Sequence, residues 1–310
     1  MTNLTSRLFL GLPLLLLLST TGTLALSTFH QDVAFSYIDT EDITQFPRNT
    51  YDEPPLLDRL GTGPVFVAPF PGTYVFSFHA PGTGKNFSGP PSRINYQFSW
   101  SPGGVNPQSV LRLTGDGPVA GHALLDLESD DRVMIEILSG SATPIVNTTT
   151  PVIFNGFLLY HRCLCSPLVL RQSAFSASRK STGLGPGTLF IDYFEMDLGR
   201  EDEFDTANGI FTASLPGIYV FMYSFPNQGV GRPGSVTVSL TVNDAVKSSV
   251  TSVSSAAAIV EYAGTTVVLD LVVGDRVRLE KRGGQLDIPE VYVGGTLEYV
   301  SPILFSGFLL

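Results

Sequence analysis

A chain of 310 residues with 43% apolar side chains is long enough to bury more than one core and too apolar to stay unfolded. Charged residues make up only 15% and the net charge is −10, which excludes the basic stripe that nucleic acid requires. Two Cys and four His exclude a disulfide scaffold and a four-thiolate zinc site, and 31 Gly without a three-residue period exclude a collagen helix. At the start of the chain Arg7 precedes an apolar run from Leu8 to Leu18, followed by small residues up to Ala25. This order predicts a secretory signal peptide over residues 1–25 and an extracellular mature protein. The run is shorter than the roughly 20 apolar residues a membrane span needs, and no later segment reaches that length.

The rest of the chain repeats itself. Ala34-Phe35-Ser36 returns as Ala174-Phe175-Ser176, and Pro71-Gly72-x-Tyr74-Val75-Phe76 as Pro216-Gly217-x-Tyr219-Val220-Phe221. Leu125-Asp126-Leu127 returns as Leu269-Asp270-Leu271, and Asp131-Arg132-Val133 as Asp275-Arg276-Val277. Phe154-x-Gly156-Phe157-Leu158-Leu159 returns as Phe305-x-Gly307-Phe308-Leu309-Leu310. Five collinear matches mean duplication, and a period of about 145 residues is a whole domain rather than a solenoid repeat.

Each copy reads as β. Tyr74, Phe76 and Phe78 alternate with Val75, Ser77 and His79, while Val236, Val238, Leu240 and Val242 alternate with Ser and Thr. Period two in β-branched and aromatic residues is the strand pattern, and Pro-Gly before Tyr74 and before Tyr219 is a turn feeding a strand. No amphipathic helix of 12 residues or more is evident after the leader. The predicted organisation is a first domain over 33–160, a Cys-containing linker over 161–172 and a second domain over 173–310.

The run Gly209-Ile210-Phe211-Thr212-Ala213-x-x-Pro216-Gly217-x-Tyr219-x-Phe221 resembles the signature of the globular head domain of complement component 1q. The closing Phe-Ser-Gly-Phe-Leu-Leu and, in the first copy, Val65 to Phe76 and Phe154 to Tyr160 resemble it too. The resemblance implies an all-β fold of two tandem ten-strand jelly-roll β-sandwiches, of the type shared with tumour necrosis factor ligands, and assembly into a homo-oligomer of trimeric heads. The collagen-like stalk of many members has no counterpart here, so recruitment of complement proteases is not carried over. Val75, Val220 and Met222 lie opposite the aromatic set, which makes both faces of the Tyr-x-Phe strands apolar. They are the candidate oligomer interface; the two heads of one chain packing with each other is the alternative.

Chemistry is sparse. No Gly-x-Ser-x-Gly elbow occurs, Gly82-Thr83-Gly84-Lys85 fails the spacing of a phosphate loop, and no spacing proposes a catalytic triad, so an enzyme is not expected. Asn86-Phe87-Ser88 and Asn147-Thr148-Thr149 make Asn86 and Asn147 candidate glycosylation sites. Calcium is the candidate cofactor, though none is required. By resemblance to calcium-holding family members, Asp116 in the first copy and Glu261 in the second are the candidate ligands, without a carboxylate cluster around either. Cys163 and Cys165, one residue apart in the linker, favour interchain disulfides over a strained internal bridge or free thiols.

The expected function is a secreted, non-enzymatic, lectin-like recognition protein of innate immunity. It would bind microbial glycans or lipopolysaccharide multivalently, since several weak sites on one particle raise avidity ~10²–10⁴-fold. The competing reading is an extracellular-matrix component or secreted ligand that clusters a receptor.

Overall fold

Why the alternating segments become sandwiches is visible in the aromatic residues of the first unit. The computed structural model describes residues 34–39, 49–51, 57–59, 64–80, 94–115, 118–139, 152–162, 173–180, 184, 188–228, 234–254, 260–284, 286, 290–293, 296–299 and 302–310. The first unit runs through β1 (Ala34–Asp39), β2 (Asn49–Tyr51), β3 (Leu57–Arg59), β4 (Pro64–Val67) and β5 (Gly72–Ala80), then β6 (Ile94–Ser101), β7 (Gln108–Gly115), β8 (Val119–Leu127), β9 (Arg132–Ser139) and β10 (Val152–His161). One five-stranded sheet has the order β2-β1-β10-β5-β8 and the other β3-β4-β9-β6-β7. On β5, Tyr74, Phe76 and Phe78 point between the sheets, where Phe76 stacks on Phe154 and meets Phe66 and Phe98 edge-on. Such aromatic pairs add to the hydrophobic gain of burial. Val75, Ser77 and His79 therefore point outward.

The second unit is β11 (Ala174–Arg179), β12 (Thr188–Phe190), β13 (Glu195–Leu198), β14 (Phe204–Asp205), β15 (Ile210–Thr212), β16 (Gly217–Gln228) and β17 (Gly234–Val242). It continues through β18 (Ala245–Ser254), β19 (Val260–Leu271), β20 (Arg276–Arg282), β21 (Glu290–Val293), β22 (Thr296–Tyr299) and β23 (Ile303–Leu309). Its sheets have the orders β13-β11-β23-β16-β19 and β14-β15-β20-β17-β18, with β12 added beside β20. Strand for strand this is the order of the first unit, and among the described residues β12 and the hairpin β21-β22 are found in the second unit only. Both units are jelly-roll sandwiches, so the fold is all-β as the periodicity predicts. Even an irregularity recurs: pairing slips by one residue after Phe98 in β6 and after Leu240 in β17. A bulge kept at the matching place pins the register of the edge strand in each copy.

The repeated motifs have structural jobs. In the first unit the Asp131 carboxylate accepts the indole N–H of Trp100 at 3.1 Å and the backbone N–H groups of Gly103 at 2.8 Å and Glu128 at 3.0 Å. In the second, Asp275 accepts the Val272 N–H at 2.9 Å and the Asn243 amide at 2.8 Å. A carboxylate that gathers donors at a hairpin turn fixes it more firmly than an uncharged acceptor would. Gly307 recurs for a steric reason, because a Cβ there would stand 2.6 Å from the Phe221 ring and 2.8 Å from the Phe175 ring. Strand β10 extends through His161, the residue at which the sequence places the start of the linker.

Candidate functional site

The two sandwiches belong to one compact body, Asp32–Leu310, and pack against each other. Edge strands β7 and β8 of the first unit lie across the outer face of the second unit's sheet, where β8 touches β13, β11, β23, β16 and β19. At the centre of the seam Val75 and Leu124 from the first unit pack with Met222 and Phe308 from the second, with Val220, Leu159 and Ala174 around them. Leu304 reaches further and joins the first unit's core cluster. Polar contacts close the ends of the seam. The Tyr160 hydroxyl donates to the Leu309 carbonyl at 2.5 Å, and the Tyr262 N–H to the Pro118 carbonyl at 3.3 Å. Burial of this apolar patch drives the docking, as it drives any core.

Beside the apolar centre the seam opens into a cleft of about 300 Å³. Leu111, Arg112 and His122 line it from the first unit, and Ser178, Lys180 and Asp197 from the second. That volume is at the lower end for small-molecule sites, and the mixed apolar and polar lining is typical of them. His122 is 7% exposed, and its Nε2 has no hydrogen-bond partner. Burial pushes its pKa down to about 4, so the imidazole is neutral at physiological pH. The Asp197 carboxyl is exposed on one side and packed against protein on the other. Lost hydration there pushes its pKa up to about 6, against the pull of Lys180 and of the Ser178 hydroxyl. Lys180 in turn pairs with Glu195 at 2.8 Å. A neutral imidazole, a carboxylate and two cations in one cleft can recognise a polar ligand.

The sequence singled out Val75, Val220 and Met222 for their outward apolar side chains, and the structure brings all three to this seam within a single chain. It thereby realises the intrachain packing that the sequence left open beside an intersubunit role. Asp116, Asn86, Asn147, Cys163 and Cys165 lie outside the described residues. Of Glu261 only the backbone is described, paired with Asn227. Among the described residues no three His, Cys, Asp or Glu side chains gather as a metal site, and no helix is long and apolar enough to cross a membrane. The cleft residues escaped the sequence reading. The available signal was His122, a polar residue on the outward side of the otherwise apolar Val-Ala-Gly-His-Ala-Leu-Leu run of β8.

Two facing sheets in this order define a pair of jelly-roll β-sandwiches. Residues 174–310, which make up the second unit, match the family model of the C1q domain. Among solved structures, the globular domain of zebrafish complement 1qA protein is similar at 23% identity over 43% of this chain and 100% of its own, with a TM-score of 0.31. Murine APRIL is similar at 12% identity over 45% of this chain and 100% of its own, with a TM-score of 0.34. The Eiger TNF of S. frugiperda is similar at 12% identity over 45% of this chain and 92% of its own, with a TM-score of 0.34.

Proposed function

We propose that this chain is a secreted, non-enzymatic recognition protein that binds repetitive microbial or glycan surfaces through two linked C1q-like heads, one over 33–160 and one over 173–310. The observation that supports this reading is the fixed side-by-side packing of two copies of one sandwich. Two heads held in one body present two equivalent loop sets at a constant spacing, and a second contact on the same surface then costs little further entropy. Loops at the sandwich ends, and the seam cleft with its imidazole, carboxylate and cations, supply the polar groups that ligand recognition needs. Assembly into a homo-oligomer of trimeric heads would multiply the sites. Glycans on Asn86 and Asn147 and disulfides from Cys163 and Cys165 belong to the same reading, and calcium is optional in it.

Binding of the secreted protein to immobilised glycans, lipopolysaccharide and whole bacteria, with and without chelator, tests the proposal. Saturable binding to at least one such surface is expected. Silence across the panel, alongside saturable binding to host cells, would favour a receptor-clustering ligand or matrix component instead.

A further inference from the structure

At two positions the seam is built against its own stability, and both line the cleft. The strand registers equate His122 with Thr266, which pair with Ser77 and Met222 on the Tyr-x-Phe strands. They equate Ser178 with Ile38, which pair with Leu304 on β23 and Ile153 on β10. Thr266 is exposed, whereas the imidazole at the covered edge is 7% exposed. Where the first unit has an isoleucine, the covered sheet has a serine that is 3% exposed. The rest of the seam obeys the opposite rule, with Val75, Leu124, Met222 and Phe308 packed at its centre. Burying a polar group without a full set of partners is costly. His122 Nε2 is closed to bulk water and has no partner among the described residues. Polar groups placed where packing alone would select apolar ones fall at functional sites.

We infer that the seam cleft holds one sugar ring, a free pyranose or the terminal residue of a glycan, whose hydroxyl groups meet His122, Ser178 and Asp197. The inference rests on the recognition reading above and gives it a binding subsite. The charges in and beside the cleft select an uncharged ligand. Lys180 is paired with Glu195 at 2.8 Å, and the Arg112 Nε–H donates to the Gln97 side chain at 2.9 Å. Asp197 lies beside Lys180 and the Ser178 hydroxyl. Two cations and two carboxylates leave the site near neutrality, so a free ion of either sign gains little there. What the lining offers is mixed hydrogen bonding. An imidazole nitrogen and a serine hydroxyl can each donate or accept, a carboxylate accepts, and the cations donate. A sugar hydroxyl also does both, so a polyol satisfies this set without importing charge. Leu111, Leu304 and Pro302 supply an aliphatic wall for the C–H face of the ring. A volume of about 300 Å³ is room for one ring rather than for a chain of them. Because the lining comes from both sandwiches, a sugar held there also ties the two heads together and stabilises the docked state.

Calorimetric titration of the full secreted protein with glucose, galactose, mannose, fucose and N-acetylglucosamine, with acetate and phosphate as ionic comparators, tests the inference. At least one sugar is expected to bind saturably and to raise the melting temperature as its concentration rises. Ser178→Ile writes the first unit's residue into the cleft, and His122→Leu removes the imidazole. Both variants are expected to melt at or above the wild-type temperature and to bind the sugar at least ~10-fold more weakly. If either fails to fold, Asp197→Ala at the exposed rim takes its place. Thr266→Ala, at the repeat position of His122, is expected to bind as wild type does. Silence across the sugars, affinity for acetate or phosphate alone, or sugar binding that the cleft variants leave intact would each overturn the inference. Methyl glycosides separate the two sources: retained affinity assigns the cleft to a glycan end, and lost affinity assigns it to a free sugar. The surface-binding panel is read separately. Sugar binding in the cleft with silent surfaces sinks surface recognition and leaves the subsite standing, and surface binding by a protein that takes up no sugar does the reverse.

Discussion

His122 should make the joint between the two sandwiches sensitive to acid. Its imidazole is buried at the seam with the pKa lowered from 6.5 to about 4, and desolvation is the cause. In the unfolded chain the same side chain takes up a proton below about pH 6.5. The unfolded state therefore binds more protons through this range. The contribution from burying a neutral imidazole is complete above pH 6.5 and is lost as pH falls through about 4. At about 1.4 kcal/mol per unit, the displacement corresponds to roughly 3 kcal/mol once both states are protonated. Urea unfolding of the wild type and of His122→Gln between pH 7.5 and 4 isolates this effect, because other titrating carboxylates are common to both proteins. The wild type should lose ~3 kcal/mol relative to the variant across that window, with most of the divergence between pH 6 and 4. Parallel stability curves would refute the reasoning and show His122 to be hydrated in solution.

Leu124→Ala should cost ~2–5 kcal/mol because it empties a buried position in the seam, whereas Val268→Ala at the same repeat position should fall within ~0.5 kcal/mol. Denaturant midpoints at nanomolar concentration compare the two. Gly307→Ala should lower stability by ~1–3 kcal/mol, since its methyl group must displace the Phe221 and Phe175 rings; a melting temperature equal to that of wild type would count against it. Asp131→Ala should cost ~1–3 kcal/mol by leaving the Trp100 indole and two backbone N–H groups unpaired. Trp100, the only Trp in the chain, should report that change by fluorescence.

The fold was largely legible because its rules are local. Tyr74, Phe76 and Phe78 declare a buried strand face through period two, and the duplicated motifs recur at positions that bind turns or fill the core. The outward apolar set of Val75, Val220 and Met222 was legible as a surface needing a cover. Which body covers it was not, because an apolar strand face carries no address for its partner. The cleft was illegible for a related reason. His122 on β8, Ser178 on β11 and Asp197 on β13 converge only once one sandwich lies across the other, and neither spacing nor composition encodes that crossing. Strands β12, β21 and β22 contain none of the duplicated motifs, so the duplication pattern could not announce them.

Joining both sandwiches in one chain changes how their contact can evolve. Where an interface is built from identical subunits, a single codon writes the same residue into every copy of the joint, and a substitution good for the edge reappears wherever that edge occurs. Here the two occurrences of each position are separate codons. His122 stands where the second copy has Thr266, and Leu124 where it has Val268. Phe157 and Phe308 kept the same side chain and their rings meet edge-on at the joint, one almost wholly covered and the other partly exposed. The gene is thereby free to tune the inner joint, with its buried imidazole, independently of the outer surfaces that other molecules meet.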